Sequence, residues 1–170
     1  FKDEFKYFNC KQKAVLLYNW HFKLTGSCKI GRNSFIKTHN INLDNLEEDS
    51  DLAAHINSLH GDKIIFTNGS RMHAVNVSKA LGLYECFSEF YGTEDAMLIP
   101  KPQKKAFDTI FELSKINPKQ AIMFEDDPRN LVEPFKMGMK TALIGDFLQT
   151  EYIHFNAPDL NTFFANELNG

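Results

Sequence analysis

Little in this chain points to a stapled, membrane-bound or nucleic-acid-bound protein. Its three cysteines, Cys10, Cys28 and Cys86, lie far apart and form no C-x-x-C. An odd count without metal spacing excludes a disulfide scaffold or a zinc site. No apolar run approaches the ~20 residues that a bilayer crossing requires. No secretory leader is visible. No basic block of the kind that carries nucleic-acid binding is present, and 19 basic residues stand against 22 acidic ones, a net charge of −3. The nearest approach is Lys104-Lys105 with Lys101 close by, which reads as a solvated helix face. These absences predict an intracellular protein, cytoplasmic or organellar. The chain opens on Phe1 rather than Met, which leaves open a processed terminus, including a mitochondrial matrix protein freed of its presequence.

What is present is an ordinary globular composition with 43% hydrophobic residues and sixteen Phe. A chain of 170 residues suits one domain. Short apolar runs at 14–18, 63–67, 121–124 and 141–144 read as buried strands. Between them, apolar residues recur at helical spacing: Leu52, Ala53, Ile56 and Leu59, then Ala106, Ile110 and Leu113. Ser70 is placed to cap a helix that Gly82 ends. Strand and helix in alternation predict an α/β fold, a three-layer, doubly wound parallel sheet with helices on both faces. Residues 26–50 are polar and read as a loop or small insertion. Residues 146–170 form a less patterned tail, with a short helix expected over 160–168.

In such sheets the ligand site lies beyond the carboxyl ends of the strands. After the first strand comes Tyr18-Asn19-Trp20-His21-Phe22-Lys23-Leu24. After the second comes Thr67-Asn68-Gly69, whose hydroxyl and exposed N–H groups could hold a phosphate oxygen or simply start a helix. Lys101 stands between Pro100 and Pro102, which restricts where its ammonium can go. It could neutralise a phosphate or lie in an exposed loop. After the third strand comes Phe124-Glu125-Asp126-Asp127-Pro128-Arg129-Asn130. Paired acids at a strand end raise each other's pKa unless a cation sits between them, and magnesium is the usual cation. Asp127 is also expected to cap the helix that follows.

Taken in order, Ile64-Ile-Phe-Thr-Asn-Gly, Lys101-Pro with Ala106-Phe107, Phe124-x-Asp-Asp-x-x-Asn130 and Met137-Gly-Met139 resemble the haloacid dehalogenase-like (HAD-like) superfamily. The resemblance is to its pyrimidine 5′-nucleotidase branch. It runs over residues 63–145, and less closely over 13–26. It implies a Rossmann-like core carrying a cap insertion, here reduced to residues 26–50 of a single domain spanning 1–170. It also implies hydrolysis of phosphate monoesters through magnesium and an aspartyl-phosphate. Thr67 and Lys101 match the family's second and third motifs, with Asn68 as a further phosphate-binding candidate. Asp126 and Asp127 match the fourth, as metal candidates.

The first motif departs from the pattern. The family has D-x-D-x-T, with an Asp nucleophile and an Asp acid/base. Here Asn19, His21 and Lys23 fall at those positions. A neutral amide is a very poor nucleophile, and its loss removes one anionic ligand from magnesium. Lys23 could instead lie against Asp126 or Asp127 in the metal's place. Three functions follow. One is an inactive pseudo-phosphatase that needs no cofactor and docks on a protein partner within a larger assembly. Another is a magnesium-dependent phosphomonoesterase of altered mechanism. The last is a module that binds phosphate or nucleotide without cleaving it.

Overall fold

The helices and strands follow from local rules that the chain obeys almost throughout. A computed structural model describes residues 46–168. Helix α1 (Ser50–Ser58) begins where the Asp49 carboxylate accepts the Leu52 N–H at 2.9 Å, and it buries Leu52 and Ile56 one turn apart. Strand β1 (Ile64–Phe66) is buried along its whole length. Helix α2 (Arg71–Ala80) is capped by Ser70, whose hydroxyl accepts the His73 N–H at 3.2 Å. Gly82 stops it at φ +70°, a left-handed conformation that a side chain would disfavour.

Strand β2 (Glu89–Tyr91) pairs in parallel with β1, Ile65 opposite Phe90. Helix α3 (Lys104–Ser114) buries Ala106, Phe107, Ile110 and Phe111. Strand β3 (Ile122–Glu125), the short helix α4 (Val132–Lys136) and strand β4 (Lys140–Ile144) come next. Strand β5 (Phe155–Ala157) and helix α5 (Leu160–Leu168) close the described chain. β3, β4 and β5 form a parallel ladder with Phe124 opposite Ala142 and Leu143 opposite Asn156.

Period-two alternation divides these strands between two cores. Ile65, Ile122, Phe124, Ala142 and Ile144 face one side with Ala74 and Val77 of α2 and Phe163 and Phe164 of α5. Ile64, Phe66, Met123 and Leu143 face the other with Phe107, Ile110 and Phe111 of α3. Both pieces of sheet contribute to both cores, so the described chain has the expected three-layer parallel α/β architecture. Phe124 is the keystone of the first core, with ring centroids 5.0 Å from Phe163 and 5.7 Å from Phe164.

The predicted strands after residue 60 and the predicted helices are found within a residue or two of their expected limits. β5 was not expected. Phe155-Asn156-Ala157 alternates only once, too short a pattern to read, and the segment becomes a strand by pairing with β4. The expected strand at 14–18 and most of the insertion at 26–50 lie outside the described residues. Among the described residues, no helix is long and apolar enough to cross a membrane.

Candidate functional site at the strand ends

The carboxyl ends of β1 and β3 are joined by a single side chain. Lys101 is fully buried at its ammonium. Its Nζ donates to the Phe66 carbonyl at 2.9 Å and forms an ion pair with Glu125 Oε1, lying 5.0 Å from the Phe66 ring centre. The exposed-loop alternative for this lysine is therefore overturned. The whole residue is only 3% exposed, although Pro100 and Pro102 on either side of it are exposed.

Glu125 is the residue that sequence reasoning missed. It is fully buried, and both its oxygens are engaged. Oε1 also accepts the Asn130 amide at 3.1 Å, while Oε2 accepts the N–H of Asp126 at 3.2 Å and of Asp127 at 3.4 Å. Strand parity held the signal. Glu125 lies two residues after Met123, so it shares the face that packs against α3, and of three consecutive acids it alone still belongs to the strand.

Asp126 and Asp127 do not act as the mutually repelling pair that was expected. Burial, and then the neighbouring Glu125 carboxylate, pushes the Asp126 carboxyl up to about 7. Its Oδ1 is buried and finds no hydrogen-bond partner. Burial also pushes Asp127 upward, but hydrogen bonds from the Arg129 side chain and backbone outweigh this and hold it below the usual carboxylate range. Asp127 Oδ1 accepts the Arg129 N–H at 3.0 Å, so it caps the turn Pro128–Leu131 as expected, and Oδ2 pairs with the guanidinium at 2.6 Å. The carboxylates that repel one another are Glu125 and Asp126.

Thr67 is buried, and its Oγ1 accepts the Gly69 N–H at 2.9 Å. The Asn68 side chain is directed at Lys101 rather than at open space. Its amide N–H donates to the Lys101 carbonyl at 3.0 Å, and its carbonyl accepts the Lys101 N–H at 2.7 Å. Alongside, Glu94 accepts the Arg71 N–H at 2.7 Å, and Asp95 pairs with the Arg71 guanidinium. Gly92 is required there, since a Cβ would stand 2.3 Å from the Arg71 nitrogen.

The structure thus brings Thr67, Asn68, Lys101 and Asp126 to one end of the sheet, adds Glu125, and turns Asp127 towards Arg129. Asn19, His21 and Lys23 lie outside the described residues, as does any pairing of Lys23 with the acids. Chemically, the described half of the site is balanced from within: Lys101 with Glu125, Arg71 with Asp95, Arg129 with Asp127. Magnesium, the metal implied by the resemblance, needs several oxygen ligands. Among the described residues, Asp126 Oδ1 is the buried carboxylate oxygen without a hydrogen-bond partner, and no three His, Cys, Asp or Glu side chains converge. By themselves these residues do not fit the ion.

Comparison with known proteins identifies the class. Residues 32–132 match the family model described as haloacid dehalogenase-like hydrolase. The chain belongs to that family, and the match begins after Asn19, His21 and Lys23. Solved structures share the fold. The L-2-haloacid dehalogenase from Xanthobacter autotrophicus superposes with a TM-score of 0.59 at 14% identity, covering 71% of this chain and 59% of that one. The same enzyme with chloropropionic acid covalently bound gives 0.57 at 14% identity, covering 70% and 58%. A HAD-hydrolase from Bacillus subtilis bound to magnesium gives 0.58 at 18% identity, covering 69% and 54%. This chain therefore spans less than two thirds of the length of these relatives. No curated protein matches the sequence significantly.

Proposed function

We propose that this chain is a HAD-like domain, closest to the pyrimidine 5′-nucleotidase branch, that no longer hydrolyses phosphate esters. Its role is that of an interaction subunit docked on a protein partner, inside the cell, with no cofactor required. The carrying observation is the closed Lys101–Glu125 pair. A lysine that serves a phosphate must present its ammonium to the ligand, and this one is buried between a carboxylate and the Phe66 carbonyl. Asn19 at the position of the family's nucleophile supports the same reading. The amide cannot form the aspartyl-phosphate, and it offers magnesium no charge. Internal pairing also argues against the phosphate- or nucleotide-binding alternative, since Asn68, Lys101 and Arg71 all have protein partners at this end of the sheet.

The test is turnover of an aryl phosphate with magnesium. The natural chain is expected to release no phosphate above the rate in buffer. A variant carrying Asn19→Asp, His21→Asp and Lys23→Thr is the comparison for restored activity. Turnover by the natural chain overturns the proposal.

A second reading, an altered magnesium-dependent phosphomonoesterase, draws on the buried Asp126 oxygen that lacks a partner. Magnesium that raises the melting temperature of the natural chain, but not that of Asp126→Asn, would favour it.

A further inference from the structure

Asn68 follows a strand-end threonine and is easily taken for a ligand-binding residue. Both of its side-chain polar atoms are already engaged, and both by the backbone of Lys101. The amide donates to the Lys101 carbonyl at 3.0 Å, and the carbonyl oxygen accepts the Lys101 N–H at 2.7 Å. The two bonds close a ring between residues 33 positions apart in sequence. Two bonds from one planar amide fix orientation as well as position, which a single bond does not. The flanking residues cannot substitute for this ring. Pro100 and Pro102 have no N–H to give.

We propose that Asn68 is a positioning residue whose task is to hold the Lys101 backbone, so that the lysine ammonium is delivered to the interior at Phe66 and Glu125. The lysine stem is flexible, with four rotatable carbons that favour reaching water. Burying the ammonium fully therefore needs a fixed starting point, and the amide ring supplies it. Released from Asn68, the 100–102 turn lets the ammonium swing to solvent, and Glu125 is left to its N–H donors alone. The inference concerns how Lys101 is held and stands independently of whether the site turns over a substrate.

The experiment is amine labelling of the full chain with formaldehyde and cyanoborohydride, read lysine by lysine by peptide mass spectrometry. In the natural chain Lys101 should be modified at least ten times more slowly than the exposed Lys104. In Asn68→Ala, Lys101 should become labelled at a rate within about threefold of Lys104, with Lys104 itself unchanged. Asn68→Asp keeps an acceptor for the Lys101 N–H but loses the donor, and should fall between the two. An Ile56→Val change in the first core serves as a control that is destabilised away from the site, and it should leave Lys101 protected. Lys101 protection that survives in Asn68→Ala overturns the proposal. So does equal deprotection in Ile56→Val at matched stability, because then only global opening is being read.

Discussion

Two ion pairs stand within a few residues of each other at the end of β3. Lys101–Glu125 is sealed from water, with neither side chain exposed, whereas the Arg129 partner of Asp127 is mostly in solvent, at 77%. The chemistry is the same and the consequences differ. In water the pair is a small term, because solvent screens both charges and the side chains lose freedom on meeting. In the interior each charge has lost its hydration, and removing one partner leaves the other unmatched. The comparison shows which acid of the Glu125-Asp126-Asp127 run the fold depends on.

The sharpest way to break the comparison is to remove one buried charge. Lys101→Met should destabilise the chain by about 3–5 kcal/mol in urea unfolding, because Glu125 is left buried and uncompensated. The double change Lys101→Met with Glu125→Gln should recover most of that loss, since the amide oxygen still accepts and no charge remains. A double variant as unstable as the single one would show that packing, not charge, sets the cost.

Asp126 lies between the two regimes, and pH exposes it. Its folded pKa is raised from an ordinary 3.8 to about 7. The folded chain therefore holds a proton that the unfolded chain has released across this window. Stability should fall as pH rises from about 4 to about 7. Discounted for partial solvent access, the loss should be roughly 1–2 kcal/mol. Asp126→Asn should remove that slope, which thermal melts of both proteins over the window would measure. Parallel pH profiles in the two would contradict the assignment.

At the exposed end the effects shrink. Asp127→Ala removes a cap as well as a surface pair and should cost about 1 kcal/mol, most of it from the cap. Lys104→Ala, which breaks the solvent-exposed contact with Asp108 at 2.6 Å, should change stability by less than about 0.5 kcal/mol. Denaturant midpoints for these two, set beside Lys101→Met, complete the scale from sealed to open.

The ordering of strands and helices was readable because each element carries its own signal. Ile64, Ile65 and Phe66 are apolar without interruption, Ser70 is a cap, and Ala106 and Ile110 keep helical spacing. β5 was not readable, since Phe155-Asn156-Ala157 acquires its conformation from β4. At the site, the positions of Thr67, Asn68, Lys101 and the acidic run could be placed at strand ends from the sequence. Their partners could not.

What the sequence determined by itself is local: where strands end, which residues cap, and which chemical groups stand at the carboxyl ends. Burial and pairing were decided by the tertiary structure, because they depend on what approaches from distant segments. Lys101 could have been a solvated loop lysine. It is an interior cation because Asn68 lies 33 residues before it and Glu125 lies 24 residues after it. Asp126 and Asp127 are identical in type and adjacent in sequence. Burial raises the pKa of both, but one lies beside Glu125, which pushes it further up, and the other turns out to Arg129, whose hydrogen bonds hold it down.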